Sequence, residues 1–91
     1  MNSAEKENRV SVDGKSCRLT PLEYGVYTLL KRNAGDTLSR ELLLRQVWGY
    51  LSDADTRSVD MCVKRLRDKI GTKRIRTVYG KGYCLLTEAE M

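Results

Sequence analysis

The 91-residue chain has no histidine, one proline, one tryptophan and three cysteines. Without histidine there is no Ser–His–Asp or Cys–His nucleophile and no His-based metal site. Cys17, Cys62 and Cys84 are odd in number, widely spaced and never form a C-x-x-C pair. They make a poor zinc site and argue against a disulfide framework, which points to a reducing cytoplasm. No apolar run approaches the roughly 20 residues of a bilayer span, so no membrane segment is expected in this chain. The polar stretch Met1–Asn8 is not a signal peptide and reads as a disordered tail. Paired carboxylates are not excluded by count, but no pattern supports them. The expectation is a non-enzyme without a cofactor or metal. The sequence holds no internal repeat and no low-complexity segment.

What is present is a hydrophobic fraction of 41% spread along the chain. That suffices for one modest core in one domain, placed at residues 9–87. The net charge of +5 is unevenly distributed. Residues 56–81 hold Arg57, Lys64, Arg65, Arg67, Lys69, Lys73, Arg74, Arg76 and Lys81 against Asp60 and Asp68, a net +7. The rest of the chain carries 8 cations and 10 acids, a net −2. A basic third of this kind is the electrostatic footprint of a nucleic-acid surface. Charge alone leaves open a solvated basic helix with no partner.

Turn and period signals give an order of hairpin, three helices, hairpin. Arg9–Val12 and Ser16–Leu19 flank Asp13-Gly14, a hairpin signal. Thr20, Pro21 and Glu23 form a helix start with a capping box. Leu22, Val26, Leu29 and Leu30 follow at helical spacing and predict a buried face. Gly25 weakens that helix locally unless it permits close packing. Ser39 caps a second helix over Arg40–Trp48, with Leu43, Leu44, Val47 and Trp48 as i, i+4 pairs. Trp48 reads as core rather than as a base-stacking platform.

The third helix spans about Thr56–Ile70 with Gly71 after it. Val59, Val63, Leu66 and Ile70 form its core face. At about 100° per residue, Arg57, Met61, Lys64, Arg65 and Asp68 lie opposite. The end of the chain predicts a hairpin of Ile75–Tyr79 and Gly82–Leu86 around a two-residue primed turn, Gly80-Lys81. Tyr83 and Leu85 point inward, and Thr87–Met91 read as a frayed end. The fold class is therefore α+β, a winged helix-turn-helix with a short N-terminal β-hairpin and a C-terminal β-hairpin wing.

Four stretches resemble the OmpR/PhoB family of response-regulator effector domains. Leu-Thr-Pro-Leu-Glu-Tyr at 19–24 is similar to its L-T-x-x-E-[FY] opening. Residues 38–49 are similar to S-R-x-x-L-L-x-x-V-W-G, and 57–70 to R-[ST]-V-D-x-x-[IV]-x-R-L-R-x-K-[IL]. Ile-Arg-Thr-Val-Tyr-Gly-Lys-Gly-Tyr at 75–83 is similar to the wing motif I-x-T-V-x-G-x-G-Y. The resemblance implies a bacterial transcription regulator bound to double-stranded DNA. It places the third helix in the major groove and the wing at the adjacent minor groove. It implies tandem, head-to-tail dimers on direct-repeat half-sites about 10 bp apart; the domain alone is expected to be monomeric. It also implies an RNA polymerase contact through the loop holding Tyr50, Leu51, Ser52, Asp53 and Asp55, for which a plain solvent loop is the alternative. The family's phosphorylated receiver domain is absent from this sequence, and its four-stranded amino-terminal sheet is cut to about two strands. A wing position often held by Arg is Tyr79 here.

Within that frame, Lys64 and Arg65 are the leading DNA contacts, with Arg suited to guanine and Lys to phosphate. Arg57 either contacts DNA or pairs with Asp60. Arg67 either contacts phosphate or forms an internal ion pair, and Met61 either touches a thymine methyl or is a bystander. Lys73 and Arg74 add phosphate contacts, while Arg76, Thr77, Tyr79 and Lys81 reach backbone or minor groove. Two other functions fit the same architecture: a membrane-anchored one-component regulator and a winged helix used for protein–protein interaction.

Overall fold

The computed structural model describes residues 8–87. The expected tail (1–8) and frayed end (87–91) lie outside the described residues except for Asn8 and Thr87. Asn8 is not tail: its carbonyl accepts a hydrogen bond from the Leu19 N–H at 2.8 Å and extends the first hairpin.

That hairpin pairs β1 (Arg9–Val12) with β2 (Lys15–Arg18) in antiparallel register. Asp13 and Gly14 both take positive φ, 54° and 79°, the twist that a two-residue type I′ turn requires. The helix α1 (Pro21–Arg32) starts as the residues dictate. Thr20 Oγ1 accepts from Glu23 N–H at 3.2 Å, and Glu23 Oε1 accepts from Thr20 N–H at 3.0 Å. Val26, Tyr27 and Leu30 are its buried residues besides Glu23. Leu22, predicted for the core, is instead 43% exposed: the buried face runs through Glu23, Val26, Tyr27 and Leu30, and Leu22 sits at its flank, lining a groove with Trp48 and Met61.

A two-residue strand, β3 (Thr37–Leu38), follows. Two residues are too few to show an alternating pattern, so no sequence signal marks it. Ser39 then caps α2 (Arg40–Leu43), its Oγ accepting from Leu42 N–H at 3.0 Å. The predicted uninterrupted helix to Trp48 is corrected here: Leu44–Trp48 widen into a π-helical turn, with Gly49 N–H reaching back to Leu44 O at 3.2 Å. Beneath this turn, a Cβ on Gly25 would lie 3.0 Å from Val47 Cγ1, so the glycine does serve close packing.

The long helix α3 (Thr56–Ile70) has the predicted bounds. The chain closes with β4 (Ile75–Val78) and β5 (Gly82–Leu85). Together with β3 they form a three-stranded antiparallel sheet in the order β3-β5-β4. The wing turn differs from the expected two-residue loop. Val78 faces Gly82 across the ladder, leaving Tyr79, Gly80 and Lys81 as the loop. Lys81 N–H bonds Val78 O at 2.9 Å, and Gly80 has φ 78°, the positive value that position three of a type II turn needs. As the middle strand, β5 buries Gly82 and Cys84 as well as the expected Tyr83 and Leu85.

The core joins α1 to α3 and the sheet. Val26, Leu30, Leu43, Val59, Val63 and Leu66 have no exposed surface, and Ile75 almost none. Each such side chain contributes about 1.5–3 kcal/mol of burial. One ion pair enters this packing. Glu23 is 2% exposed and accepts from Lys69 Nζ of α3 at 2.7 Å. Burial pushes the Glu23 carboxyl up, but the Lys69 ammonium and the Thr20 amide outweigh it, and the group sits below its ordinary value.

Two outcomes follow from this packing. A Cβ on Gly82 would fall 2.0 Å from Leu38 O, inside the backbone of β3. Gly82→Ala should cost about 3 kcal/mol and loosen the wing, as measured by urea unfolding; an unchanged midpoint contradicts the packing. Since Glu23 is depressed in the folded state, its stabilisation is full above the ordinary glutamate range and disappears as pH falls through the lower folded value. Thermal melts should therefore fall on acidification, and less steeply in Lys69→Met, where only the Thr20 bonds remain to oppose desolvation of the carboxyl. Parallel profiles would discount the pair.

Candidate nucleic-acid interface

The packing of α3 decides what it shows to solvent. Val59, Val63 and Leu66 are fully buried, while Arg57, Met61, Lys64, Arg65 and Asp68 are exposed. The two faces follow from the 100° period, and the predicted outward side is the observed one. Asp55 is the N-cap of this helix: its Oδ1 accepts from Arg57 N–H at 3.0 Å. Its Oδ2 also pairs with Arg57 Nη2 at 3.2 Å, which holds the Asp55 carboxyl below the usual range. Arg57 is thus not the partner of Asp60, one of the two predicted options. Its side chain stays 86% exposed beside its own cap.

Asp60 turns the other way. Arg40 bonds it through Nε to Oδ1 (3.0 Å) and Nη2 to Oδ2 (2.5 Å), and the Tyr83 hydroxyl donates to Oδ1 at 2.6 Å. Burial works against ionisation of Asp60, yet Arg40 and Tyr83 hold it below its ordinary value. Burial and the bond to Asp60 push Tyr83 up to about 12, so its hydroxyl remains a donor.

Arg67 requires a correction. Its Nε and Nη2 donate to Ile75 O at 3.1 and 2.8 Å, and Nη2 also donates to Thr77 Oγ1 at 2.7 Å. Its guanidinium lies 5.6 Å from the Tyr83 ring centroid. Arg67 is an internal strut between α3 and β4, made with a carbonyl and a hydroxyl rather than with an acid. Thr77 is correspondingly engaged from within. Arg74 is half-buried and pairs with Asp13 in the β1–β2 turn. Lys69 is drawn to Glu23.

The exposed cations of residues 56–81 are Arg57, Lys64, Arg65, Lys69, Lys73, Arg76 and Lys81, and of these Lys69 is tied inward to Glu23. Lys81 stands in the wing turn beside Tyr79, which is 89% exposed. In the loop before α3, Tyr50 is 79% and Leu51 99% exposed, and Asp53 is exposed. Ser52 Oγ accepts from Ala54 N–H at 3.0 Å, and Asp55 is committed to the helix cap, so both have local roles. Cys62 is buried under α3, and burial pushes its thiol up to about 11. The outer face therefore offers cations, Met61 and Asp68. Sequence reasoning missed the Arg40–Asp60–Tyr83 cluster, since no local pattern links residues that far apart.

A trihelical core, a basic third helix and a β-hairpin wing define a winged helix-turn-helix domain. The family model for the C-terminal part of transcriptional regulatory proteins matches residues 14–85. The chain belongs to this family, that of OmpR/PhoB-type effector domains. It is 40% identical over 89 residues to the transcriptional regulatory protein ResD of Bacillus subtilis, an alignment covering 91% of this chain and 37% of ResD. The chain spans about a third of the length of the curated relatives it matches. The structure is similar to the DNA-binding domain of B. subtilis CssR, with a TM-score of 0.78 at 34% identity, covering 93% of this chain and 98% of that one. It is also similar to the DNA-binding domain of Klebsiella pneumoniae RstA in complex with the RstA box. That match has a TM-score of 0.76 at 31% identity and covers 89% of this chain and 85% of the other.

Proposed function

We propose that the chain binds double-stranded DNA in a sequence-dependent way and regulates transcription as the output domain of a two-component response regulator. The observation that carries this reading is the outward face of α3: Lys64 and Arg65 stand in solvent over a fully buried apolar stripe. A helix of this width enters the major groove, where Arg reads guanine O6 and N7 and Lys meets phosphate. Arg57 and Met61 extend the same face. The wing then falls at the adjacent minor groove, with Arg76, Tyr79 and Lys81 towards the backbone and Lys73 as a phosphate ligand. Thr77 and Arg74 serve by holding the wing and the first hairpin.

Three further parts of the reading rest on the family. Two domains bind direct repeats in tandem. The exposed Tyr50, Leu51 and Asp53 form the surface for RNA polymerase. The chain works in the cytoplasm, with its cysteines as free thiols. No helix among the described residues is long and apolar enough to cross a membrane.

Selection from a random duplex pool should recover a half-site, and its affinity should fall steeply with salt as counterions are released. Lys64→Ala should weaken binding to every sequence and reduce the salt slope by about 0.9. Arg65→Ala should lose about 1–3 kcal/mol and relax preference at one base position. A wild-type domain that binds no duplex, or binds without salt dependence, would refute the assignment and favour a protein-interaction role.

A further inference from the structure

The helix face and the wing are useful together only if the angle between them is fixed. The major and minor grooves of a duplex have set widths and a set offset. A wing that swings would have to be ordered at each binding event, at a cost in affinity. At its base the wing is held by the apolar core, through Ile70, Ile75 and Leu85. Nearer Tyr79 and Lys81, Tyr83 belongs to the same core, and polar side chains add to its packing.

Tyr83 is where these side chains meet. It sits on the central strand β5, facing Leu38 of β3 on one side and Thr77 of β4 on the other. Its hydroxyl bonds Asp60 in the first half of α3, which Arg40 of α2 holds through both oxygens. Its ring carries the Arg67 guanidinium, which continues to Ile75 O and Thr77 Oγ1 on β4. One chain of contacts thus ties α2, two points of α3 and two strands of the wing. The Arg40 and Asp60 side chains keep 39% and 37% of their surface, so the network is only partly buried. Linked hydrogen bonds hold geometry more firmly than the same bonds made separately.

We propose that Tyr83, with Asp60 and Arg67, is the positioning device that sets the wing against the recognition helix, acting on DNA specificity without touching DNA. The inference rests on the DNA-binding reading above. It assigns Arg67 an intramolecular task although it lies in the most cationic stretch of the sequence.

The test compares Tyr83→Phe, Asp60→Asn and Arg67→Gln with the unaltered chain, on a duplex carrying the selected site. Guanine methylation protection reports α3 in the major groove, and hydroxyl-radical protection reports the wing. Hydrogen exchange of the Gly80–Gly82 amides reports wing order without DNA. Tyr83→Phe keeps the ring and should fold normally. It should lose wing protection and exchange faster at the wing, while methylation protection persists and affinity falls about tenfold. Arg67→Gln should show the same signature with an unaltered salt slope, because no phosphate contact is lost. A slope lowered by about 0.9 in Arg67→Gln would make it a phosphate ligand and overturn the assignment. Intact wing protection in Tyr83→Phe, or both protections fading together with the melting temperature, would overturn it too. A wild type with no protected site would overturn the DNA-binding reading itself, and this inference with it.

Discussion

Everything in this domain depends on α3 lying with one stripe flat against α1. Val59, Val63 and Leu66 give up all their surface to neighbours that include Val26 and Leu30. The stripe can be buried in only one orientation, and an unpaired ammonium or guanidinium cannot follow it inside. Folding therefore turns Lys64 and Arg65 outward. The core and the candidate interface are two sides of one helix, so forming the first creates the second.

The remaining charges of the basic third divide by what surrounds them. Lys69 and Arg74 reach acids on other elements, and Arg67 reaches a carbonyl and a hydroxyl on the wing. The Glu23–Lys69 pair is the most deeply placed of these. Such a pair gains little net stability over apolar packing, because desolvation offsets attraction. Its contribution here is geometric: it locks the first turn of α1 to the last turn of α3. What remains outside is a smaller and more directed set of cations than the composition implies.

The same economy governs the wing. Its strands are short, and its edge strand β4 would be weakly held by backbone pairing alone. Gly82 lets β5 approach β3 to a distance that no side chain allows, and the Tyr83 cluster adds polar ties above the apolar base. Tyr79 stands at the tip, an exposed aromatic followed by Gly80 and Lys81. A ring there presents a flat apolar surface with a donor at its end.

The sequence by itself determined the elements whose signals are local. Thr20, Pro21 and Glu23 fixed the start of α1, Asp13-Gly14 fixed the first turn, and the period of Val59, Val63, Leu66 and Ile70 fixed both the extent and the facing of α3. These depend on contacts between residues a few positions apart, and they survive in any context. Tertiary structure alone decided the two-residue strand β3, the π-helical turn ending at Trp48, the type II wing turn and the exposure of Leu22. It also chose the partners of Arg57, Asp60 and Arg67. A charged side chain has several possible partners along the chain, and its choice is set by which ones the packed backbone brings within hydrogen-bonding distance. That distance exists only after the helices have docked.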